Sequence, residues 1–397
     1  MDMRNLQNIN GLQRLGEVGV FGLTSNDPRS KERPPAQLAF WRTSTDPALA
    51  YPRPNQKLAA RAWLLDPAGF PSDLYYSDVA ATEMTQLIES FNPQLVVIEG
   101  LWLHRYIPIL KRMPCRLVLD LHAVESALFK ELAESTPGND FKSKLMRKFL
   151  PDRVKVIEHQ AANAVDQIWV CSYEDARLMR QEHTSTAPIH VVPNTVNVTN
   201  YGPARGGLCR RPESIASTKN TVIFPAIFRW EPNAASAMFL VEEVFPLLVQ
   251  TFPDCQLLLP GADPTSWMKA AAAQNPHIVV TGTVPDVLPF LAAATAMAVP
   301  LRQGGGTRLK ILEGFAASVP VVTTIKGAEG LEVENGTHLL FAETAAEFVA
   351  ALDRIWTEEH VAEELAANGL KLVTRAYSWN ASARCIKQAV AALDMKP

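Results

Sequence analysis

Short apolar runs rich in β-branched residues alternate with longer helical patterns along most of this chain. Such alternation is typical of parallel α/β folds, in which a helix crosses over between neighbouring strands. The predicted strands of the first half cover residues 18–23, 95–99, 116–121, 167–171 and 189–192. Those of the second half cover residues 221–224, 256–259, 278–280, 296–300 and 319–323, and its predicted helices cover residues 234–251, 308–317, 345–357 and 361–377.

The chain of 397 residues is too long for one hydrophobic core and predicts two domains. Residues 200–220 are rich in Gly, Pro, Arg and Ser, which makes them the most loop-like segment and favours a domain boundary there. We predict Rossmann-like domains over residues 1–198 and 199–375, and a C-terminal helix within residues 376–397 that packs back on the first domain. Two doubly wound domains joined in this way predict a ligand cleft between them, at the carboxyl ends of the strands.

The chain opens on a helical pattern rather than on a strand. Leu6, Ile9, Leu12 and Leu15 recur at near-helical spacing and predict a helix over residues 1–15. A doubly wound domain usually begins with a strand and a glycine-rich turn, so the expected first strand is missing from this sequence.

Composition argues against several classes of function. The formal net charge of −3 offers no field suited to a phosphate backbone, so no nucleic-acid partner is expected. Five scattered cysteines indicate reduced thiols rather than a disulfide framework or a zinc site. Neither a signal peptide nor a membrane-spanning run is predicted, so we expect a cytoplasmic protein, with peripheral membrane contact left open.

A glycine loop between a predicted strand and a predicted helix carries the strongest chemical signal. Gly304, Gly305 and Gly306 allow the backbone to approach a ligand closely, and the helix that follows presents unpaired N–H groups. Arg308 and Lys310 lie in its first turn, where the helix dipole disfavours cations by roughly 0.3–1 kcal/mol each. A bound phosphate reverses that sign, so the loop predicts an anion site; a flexible linker with surface cations is the alternative.

Glu313 lies one turn further along the predicted helix. A carboxylate would repel a phosphate in direct contact but accepts hydrogen bonds from a neutral diol such as a ribose. The alternative is an ion pair with Lys310 or Arg308. The spacing of a Walker loop and of a Gly-x-Gly-x-x-Gly dinucleotide loop is absent here, which weakens ATPase and dehydrogenase interpretations.

The stretch PLRQGGGTRLKILEGFAASVPVVTTIKGAEGL from Pro300 resembles the C-terminal domain of the family-four retaining glycosyltransferases, in a bacterial polysaccharide-type subgroup. The resemblance continues through FRWEPNAASAMFLVEEVFPLL, LLLPGADP, VTGTVPDVLPFLAAA and YSW, which together span most of residues 220–380. The first half matches more loosely through VLDLHAVES, WVCSYED and VVPNTVN. The resemblance implies an α/β GT-B fold, with two doubly wound Rossmann-like domains facing a cleft.

The same resemblance implies transfer of a hexose from a nucleotide-diphosphate sugar with retention of configuration; a UDP-sugar is favoured as donor, with UDP-glucose as one candidate. The acceptor would be a saccharide or a polyprenyl-linked saccharide in polysaccharide biosynthesis. No cofactor is implied, and no metal, since an Asp-x-Asp motif is absent. A nucleotide-sugar 2-epimerase of related fold and a non-catalytic nucleotide- or sugar-binding homologue remain the alternatives.

Residue roles follow from the family pattern. Glu313 matches the second Glu of the family's Glu-x7-Glu signature, which implies that it binds the ribose hydroxyls, whereas Gly305 stands where the first Glu belongs. Arg229 resembles the pyrophosphate-binding Arg; the companion Lys is replaced by Ala235, and Lys310 is a candidate substitute for it.

The implied site has further members in both halves. Val284 and Asp286 match positions that hold the base, largely through backbone groups, and Thr307 belongs to the donor loop. His122 matches the first-domain His that lies between donor sugar and acceptor. A basic cluster suits anionic lipids or a solvated face; it comprises Lys142, Lys144, Arg147, Lys148, Arg153 and Lys155.

Overall fold

The computed structural model describes residues 3–23, 37–49, 75–135, 141–184, 187–213, 215 and 218–393. They form two compact units, unit 1 (Met1–Pro193 with Ser382–Pro397) and unit 2 (Asn194–Ala381). The sequence placed the corresponding divisions after residues 198 and 375. Residues 194–198 belong to unit 2 because the Val196 N–H donates to the carbonyl of Tyr377, and Val196 forms a parallel bridge with Ser378.

Unit 1 contains a four-stranded parallel sheet in the order β3-β4-β5-β6 and a separate parallel pair, β1-β2. The strands are β1 (Gly19–Gly22), β2 (Phe40–Thr43), β3 (Leu95–Glu99), β4 (Arg116–Asp120), β5 (Gln167–Val170) and β6 (Ile189–Val191). The helices of this part are α1 (Met3–Leu12), α2 (Asp78–Phe91), α3 (Ile107–Leu110), α4 (Glu125–Ser135), α5 (Phe141–Ala162) and α6 (Tyr173–Glu182).

Helix α1 and the C-terminal helix α15 (Trp379–Ala391) cover part of the unit 1 sheet. Val118, Trp169 and Val192 pack there against Ile386 and its neighbours. Gly11 permits this close packing, because a Cβ at that position would lie 2.4 Å from the Cδ1 of Ile386. The first helix was predicted over residues 1–15 and is shorter at its C-terminal end.

Unit 2 contains a six-stranded parallel sheet in the order β12-β11-β10-β7-β8-β9. Its strands are β7 (Thr221–Ile223), β8 (Gln256–Pro260), β9 (Ile278–Gly282), β10 (Ala296–Val299), β11 (Val321–Thr323) and β12 (Leu340–Phe341). Its helices are α7 (Gly202–Arg205), α8 (Glu231–Phe239), α9 (Phe245–Thr251), α10 (Ser266–Gln274), α11 (Leu288–Ala293), α12 (Leu309–Ala316), α13 (Ala345–Thr357) and α14 (Glu359–Ala376).

The strand order of unit 2 reverses between β7 and β10. From β7 the chain proceeds to β8 and β9 on one side, and from β10 to β11 and β12 on the other. Such a reversal leaves a crevice at the carboxyl ends of the two central strands, which is where ligands bind in open α/β sheets. The segments after β7 and after β10 are therefore the expected site.

The predicted helix over residues 234–251 is divided in three. Helices α8 and α9 are joined by a π-helical turn, Leu240–Val244, next to Pro246. Pro246 cannot donate a backbone hydrogen bond, which accounts for the altered pattern at this point.

By length and apolar composition this run, Glu231–Thr251, would suffice to cross a membrane, contrary to the sequence prediction that no such stretch exists. It is the one such run in the described ranges, and about a third of it is buried in unit 2. Ala237, Leu240, Val244 and Leu248 supply that buried face. A core helix passes the same test, so the finding is weak evidence for a membrane span.

Candidate functional site

The glycine loop connects β10 to α12 and thus lies at the point where the strand order reverses. It meets the elements that follow β7, since the hydroxyl of Ser236 on α8 donates to the carbonyl of Pro300 at 3.2 Å. The sequence prediction of a strand, a glycine loop and a helix matches the structure here. Helix α12 spans Leu309–Ala316 with Arg308 as its N-cap, one residue inside the predicted bounds at each end.

Two of the three glycines have left-handed backbone conformations. Gly304 has φ of 104° and Gly306 has φ of 75°, whereas Gly305 does not have a positive φ. L-residues rarely adopt such angles, so the course of the loop requires glycine at 304 and 306.

The guanidinium of Arg308 folds back onto its own loop. It donates to the carbonyls of Gly304, Gly305 (2.5 Å) and Gln303 (3.4 Å). From the sequence, this cation is predicted to face a bound anion, because a helix N-terminus disfavours a positive charge. The structure shows that three carbonyl dipoles offset that cost, so Arg308 organises the loop.

Thr307 presents a buried hydroxyl that lacks a partner. Its side chain is 7% exposed, and its Oγ1 has no hydrogen bond to any described residue. An unsatisfied buried hydroxyl costs roughly 1–3 kcal/mol, so native structures rarely keep one without a reason. Its position beside the first turn of α12 points to a hydrogen-bonding ligand.

Lys310 reaches from α12 to the elements that follow β7. Its Nζ donates to Oδ1 of Asn233 on α8 at 3.0 Å and lies 4.1 Å from the ring centroid of Phe224. Burial, together with the nearby charge of Arg308, lowers the pKa of Lys310 to about 7, although Glu313 acts in the opposite direction.

Glu313 has a partner that the sequence did not reveal. The hydroxyl of Tyr201 donates to its Oε1 at 3.0 Å. Burial raises the pKa of the Glu313 carboxyl, an effect that Tyr201 and Lys310 oppose. The described residues do not form the alternative contact, a direct ion pair of Glu313 with Lys310 or Arg308.

The remaining donor-side residues lie on loops at the same end of the sheet. Arg229 follows β7, is 56% exposed and pairs with Asp263 at 3.0 Å. Val284 and Asp286 lie between β9 and α11, and Oδ1 of Asp286 accepts from the Leu288 N–H at 2.9 Å.

His122 lies in unit 1, two residues after the end of β4. Its Nε2 is 3.5 Å from Oε2 of Glu99 and 3.9 Å from Oδ2 of Asp120. Burial opposes a charge on the imidazole, but Glu99 and Asp120 outweigh it and raise the pKa of His122. Burial and the neighbouring Asp120 raise the pKa of Glu99 to about 7.

Helix α1 supplies the polar side chains that hold these carboxylates. Arg4, 2% exposed, pairs with the fully buried Asp120 through two nitrogens and donates to the carbonyl of Val192. The amide of Asn8 donates to Glu99 at 3.1 Å and to Asp120 at 2.9 Å. The ligand atoms of Glu99, Asp120 and His122 lie within 4.8 Å of one another, a spacing that suits a metal. Because Arg4 already places a cation on Asp120, an ion-pair network explains this cluster.

The basic cluster on α5 is described only in part. The side chains of residues 141–149 lie outside the described residues, while Nζ of Lys155 pairs with Glu182 at 2.5 Å. Lipid contact by this helix therefore stays a prediction.

Comparison with known families matches residues 219–358 to the family described as glycosyl transferases group 1. This range contains the glycine loop, Lys310 and Glu313. A search of curated proteins finds no match.

Solved structures resemble the whole chain. Sucrose-phosphate synthase from Thermosynechococcus elongatus superposes with a TM-score of 0.71 at 17% identity, covering 98% of this chain and 92% of its own. A glycosyltransferase from Rickettsia africae gives 0.66 at 14% identity, covering 98% and 95%. Anabaena HepE in complex with UDP and glucose gives 0.64 at 13% identity, covering 98% and 96%. The chain thus has the GT-B fold, with two Rossmann-like domains.

Proposed function

We propose that this protein is a glycosyltransferase that moves a hexose from a UDP-sugar, with UDP-glucose as first candidate, to a saccharide or lipid-linked acceptor. The family match of residues 219–358 and the GT-B fold support glycosyl transfer. Retention of configuration and a place in polysaccharide biosynthesis rest on the resemblance of the GGGTRLK loop.

The observation that carries the proposal is the glycine loop at the reversal of the unit 2 sheet. It brings together the unpartnered hydroxyl of Thr307, the amine of Lys310 and the α12 N-terminus. The hydroxyl, the amine and the N–H groups of the helix can all donate hydrogen bonds to a pyrophosphate. Glu313, one turn further on and held by Tyr201, suits the ribose hydroxyls.

The choice of UDP rests on a structural neighbour. Anabaena HepE, also of GT-B fold, has been solved in complex with UDP-glucose and covers 94% of this chain with a TM-score of 0.62. The identity of 12% shows the fold alone, so the preference for UDP is proposed for this chain.

In the proposed reaction the bond between the anomeric carbon and the β-phosphate oxygen breaks, and the acceptor hydroxyl oxygen forms the new bond to that carbon. The hydroxyl proton passes to solvent, and UDP departs with an added negative charge. Lys310, the Thr307 hydroxyl and the amides of the loop stabilise that charge, because preorganised donors act most strongly where charge develops. Arg229 would join them after exchanging Asp263 for phosphate. His122 is proposed to contact the donor sugar. Cationic side chains thus supply the stabilisation for which other enzymes use a metal.

A non-catalytic nucleotide-binding protein is the second candidate. Gly305 lacks the carboxylate that the family pattern places there, so one contact to the donor sugar is missing or is made by backbone N–H groups. The nucleotide half of the donor is therefore better supported than the sugar half.

A thermal-shift screen of UDP, GDP, TDP and their sugars tests the proposal. A nucleotide at 100 times its Kd stabilises the native protein by about 2.7 kcal/mol, so a clear rise in Tm is expected with UDP. Lys310→Ala and Glu313→Ala should remove it, whereas Lys269→Ala, an exposed position on α10, should not. If no nucleotide raises Tm, the proposal fails.

Incubation of UDP-sugars without acceptor separates the remaining functions. Slow release of UDP with hydrolysed sugar supports a transferase, and an epimerised sugar would identify a nucleotide-sugar epimerase. Binding without turnover of any donor, with or without acceptor, would favour the non-catalytic candidate.

A further inference from the structure

The surroundings of the Lys310 amine differ from those of an ordinary phosphate-binding lysine. Among the described residues its Nζ hydrogen-bonds Asn233 alone, although an ammonium carries three donors. Its other neighbour is the aromatic face of Phe224, 4.1 Å away. Both neighbours are uncharged.

The position of Asn233 is itself fixed. Its Nδ2 donates to the carbonyl of Ile227 at 2.9 Å, which leaves Oδ1 directed at Lys310. The amide therefore acts as an acceptor for the amine. An ammonium and a neutral amine can both donate to it, so this hydrogen bond does not depend on the charge of the lysine.

Charges near the amine come from its own helix and the loop before it. Arg308, the N-cap, disfavours a second cation, and Glu313, one turn on, favours it. The β7 and α8 elements contribute the Phe224 ring and the Asn233 amide; Arg229 between them is paired with Asp263, and Glu231 is exposed. Without an anion, burial and the charge of Arg308 outweigh the effect of Glu313, and the pKa of Lys310 is lowered to about 7.

We propose that Lys310 takes up a proton from solvent when the pyrophosphate of a nucleoside diphosphate binds, and that Asn233 is the positioning residue that holds its amine for this purpose. The inference rests on the proposed nucleotide site. The pyrophosphate brings negative charge next to Nζ, and an opposite charge at such short range favours the ammonium. The proton comes from water or buffer and forms the third N–H bond of the ammonium, which donates to the phosphate.

The expected proton uptake depends on pH. With a free-state pKa of about 7 and an ordinary lysine value of about 10.4 in the complex, uptake is about 0.1 proton at pH 6, about 0.5 at pH 7 and about 0.9 at pH 8. The same linkage weakens UDP binding about fivefold between pH 7 and pH 8, and about 50-fold between pH 7 and pH 9. A phosphate with a pKa near 6 is about nine-tenths ionised at pH 7 and almost fully ionised at pH 8, so its own titration adds little above pH 7.

Isothermal titration calorimetry measures the uptake directly. UDP is titrated into the full chain at pH 8 in buffers of different ionisation enthalpy, and the slope of the apparent enthalpy gives the protons bound. A slope near about 0.9 supports the proposal. UDP that binds with no dependence on the buffer overturns it while leaving the proposed function intact, whereas absence of UDP binding overturns both.

Three variants assign the proton and the role of Asn233. Lys310→Met should bind UDP more weakly and without proton uptake; uptake that persists would assign the proton elsewhere, for instance to Glu313. Asn233→Asp places a carboxylate beside the amine, so Lys310 should already be charged and the uptake should fall toward zero. Uptake at the wild-type level in this variant would refute the role of Asn233. Lys269→Met is the matched control and should retain both affinity and uptake.

Discussion

Replacement of Thr307 by valine should increase the stability of the nucleotide-free protein and decrease its affinity for UDP. Valine keeps the shape of the side chain and removes the buried hydroxyl, which has no partner among the described residues. An unsatisfied buried hydroxyl costs roughly 1–3 kcal/mol, so Thr307→Val should stabilise nucleotide-free unit 2 by about 1 kcal/mol or more. Most core substitutions destabilise, which makes this direction distinctive.

The same change should weaken UDP binding. A hydrogen bond to a charged phosphate contributes about 1.5–3 kcal/mol, so the Kd should rise by roughly 10- to 150-fold. Urea denaturation of nucleotide-free protein, followed by hydrogen exchange in β10, measures the first effect. Calorimetric titration with UDP measures the second.

Thr323→Val is the matched control. Thr323 is fully buried on β11, and its hydroxyl donates to the carbonyl of Val299 at 2.8 Å. Its loss should destabilise unit 2 by about 0.5–1.5 kcal/mol and leave the Kd for UDP unchanged. The reasoning is refuted if Thr307→Val destabilises the nucleotide-free protein or leaves UDP affinity as it was.

Two further predictions concern unit 1. Arg4→Met leaves the buried carboxylate of Asp120 without its cation and should cost about 3–5 kcal/mol, measured by hydrogen exchange in β4 during urea denaturation; the double variant with Asp120→Leu should recover most of it. The pKa of Glu99 is raised to about 7 in the folded state, so its contribution to stability is present at low pH and is lost as pH rises from about 4.5 to about 7. The pKa of His122 is also raised, so its contribution has the same sign and is lost as pH rises above 6.5. Glu99→Gln should flatten this dependence between pH 5.5 and pH 8.5, and an unchanged slope would show that the pair does not cause it.

Local signals account for the parts of the fold that the sequence predicted well. Strand β3 and helix α13 have their predicted bounds. A continuous apolar run marks β3, and the capping box of Thr344 and Glu347 marks the start of α13. Strands β2 and β12 were missed. Strand β12 has two residues, and β2 (FWRT) lacks the run of β-branched residues that marked the shorter strands β7 and β11.

The candidate site was predicted in its residues but not in its contacts. Tyr201 lies 112 positions from Glu313 and Asn233 lies 77 from Lys310, so neither partner is visible at helical or strand spacing. The folded unit brings them together: β7 and β10 are neighbours in the sheet, and the turn Val198–Tyr201 packs on α12. The network around Asp120 was likewise invisible in the sequence, because Arg4 on helix α1 lies 116 positions away.

The fold also shows that Arg308 and Lys310 are not equal indicators of a bound anion. In the sequence, Arg308 and Lys310 are equivalent signals, because both place a positive charge at a helix N-terminus that disfavours it. In the structure the carbonyls of the loop accept hydrogen bonds from Arg308 and offset the cost of placing its charge there, so this charge needs no ligand. Within the part of the chain that the structure describes, Lys310 has one neutral acceptor and an aromatic ring instead, and Thr307 has no acceptor. The case for a bound phosphate therefore depends on these two residues, and Arg308 serves it indirectly, by fixing the loop that positions them.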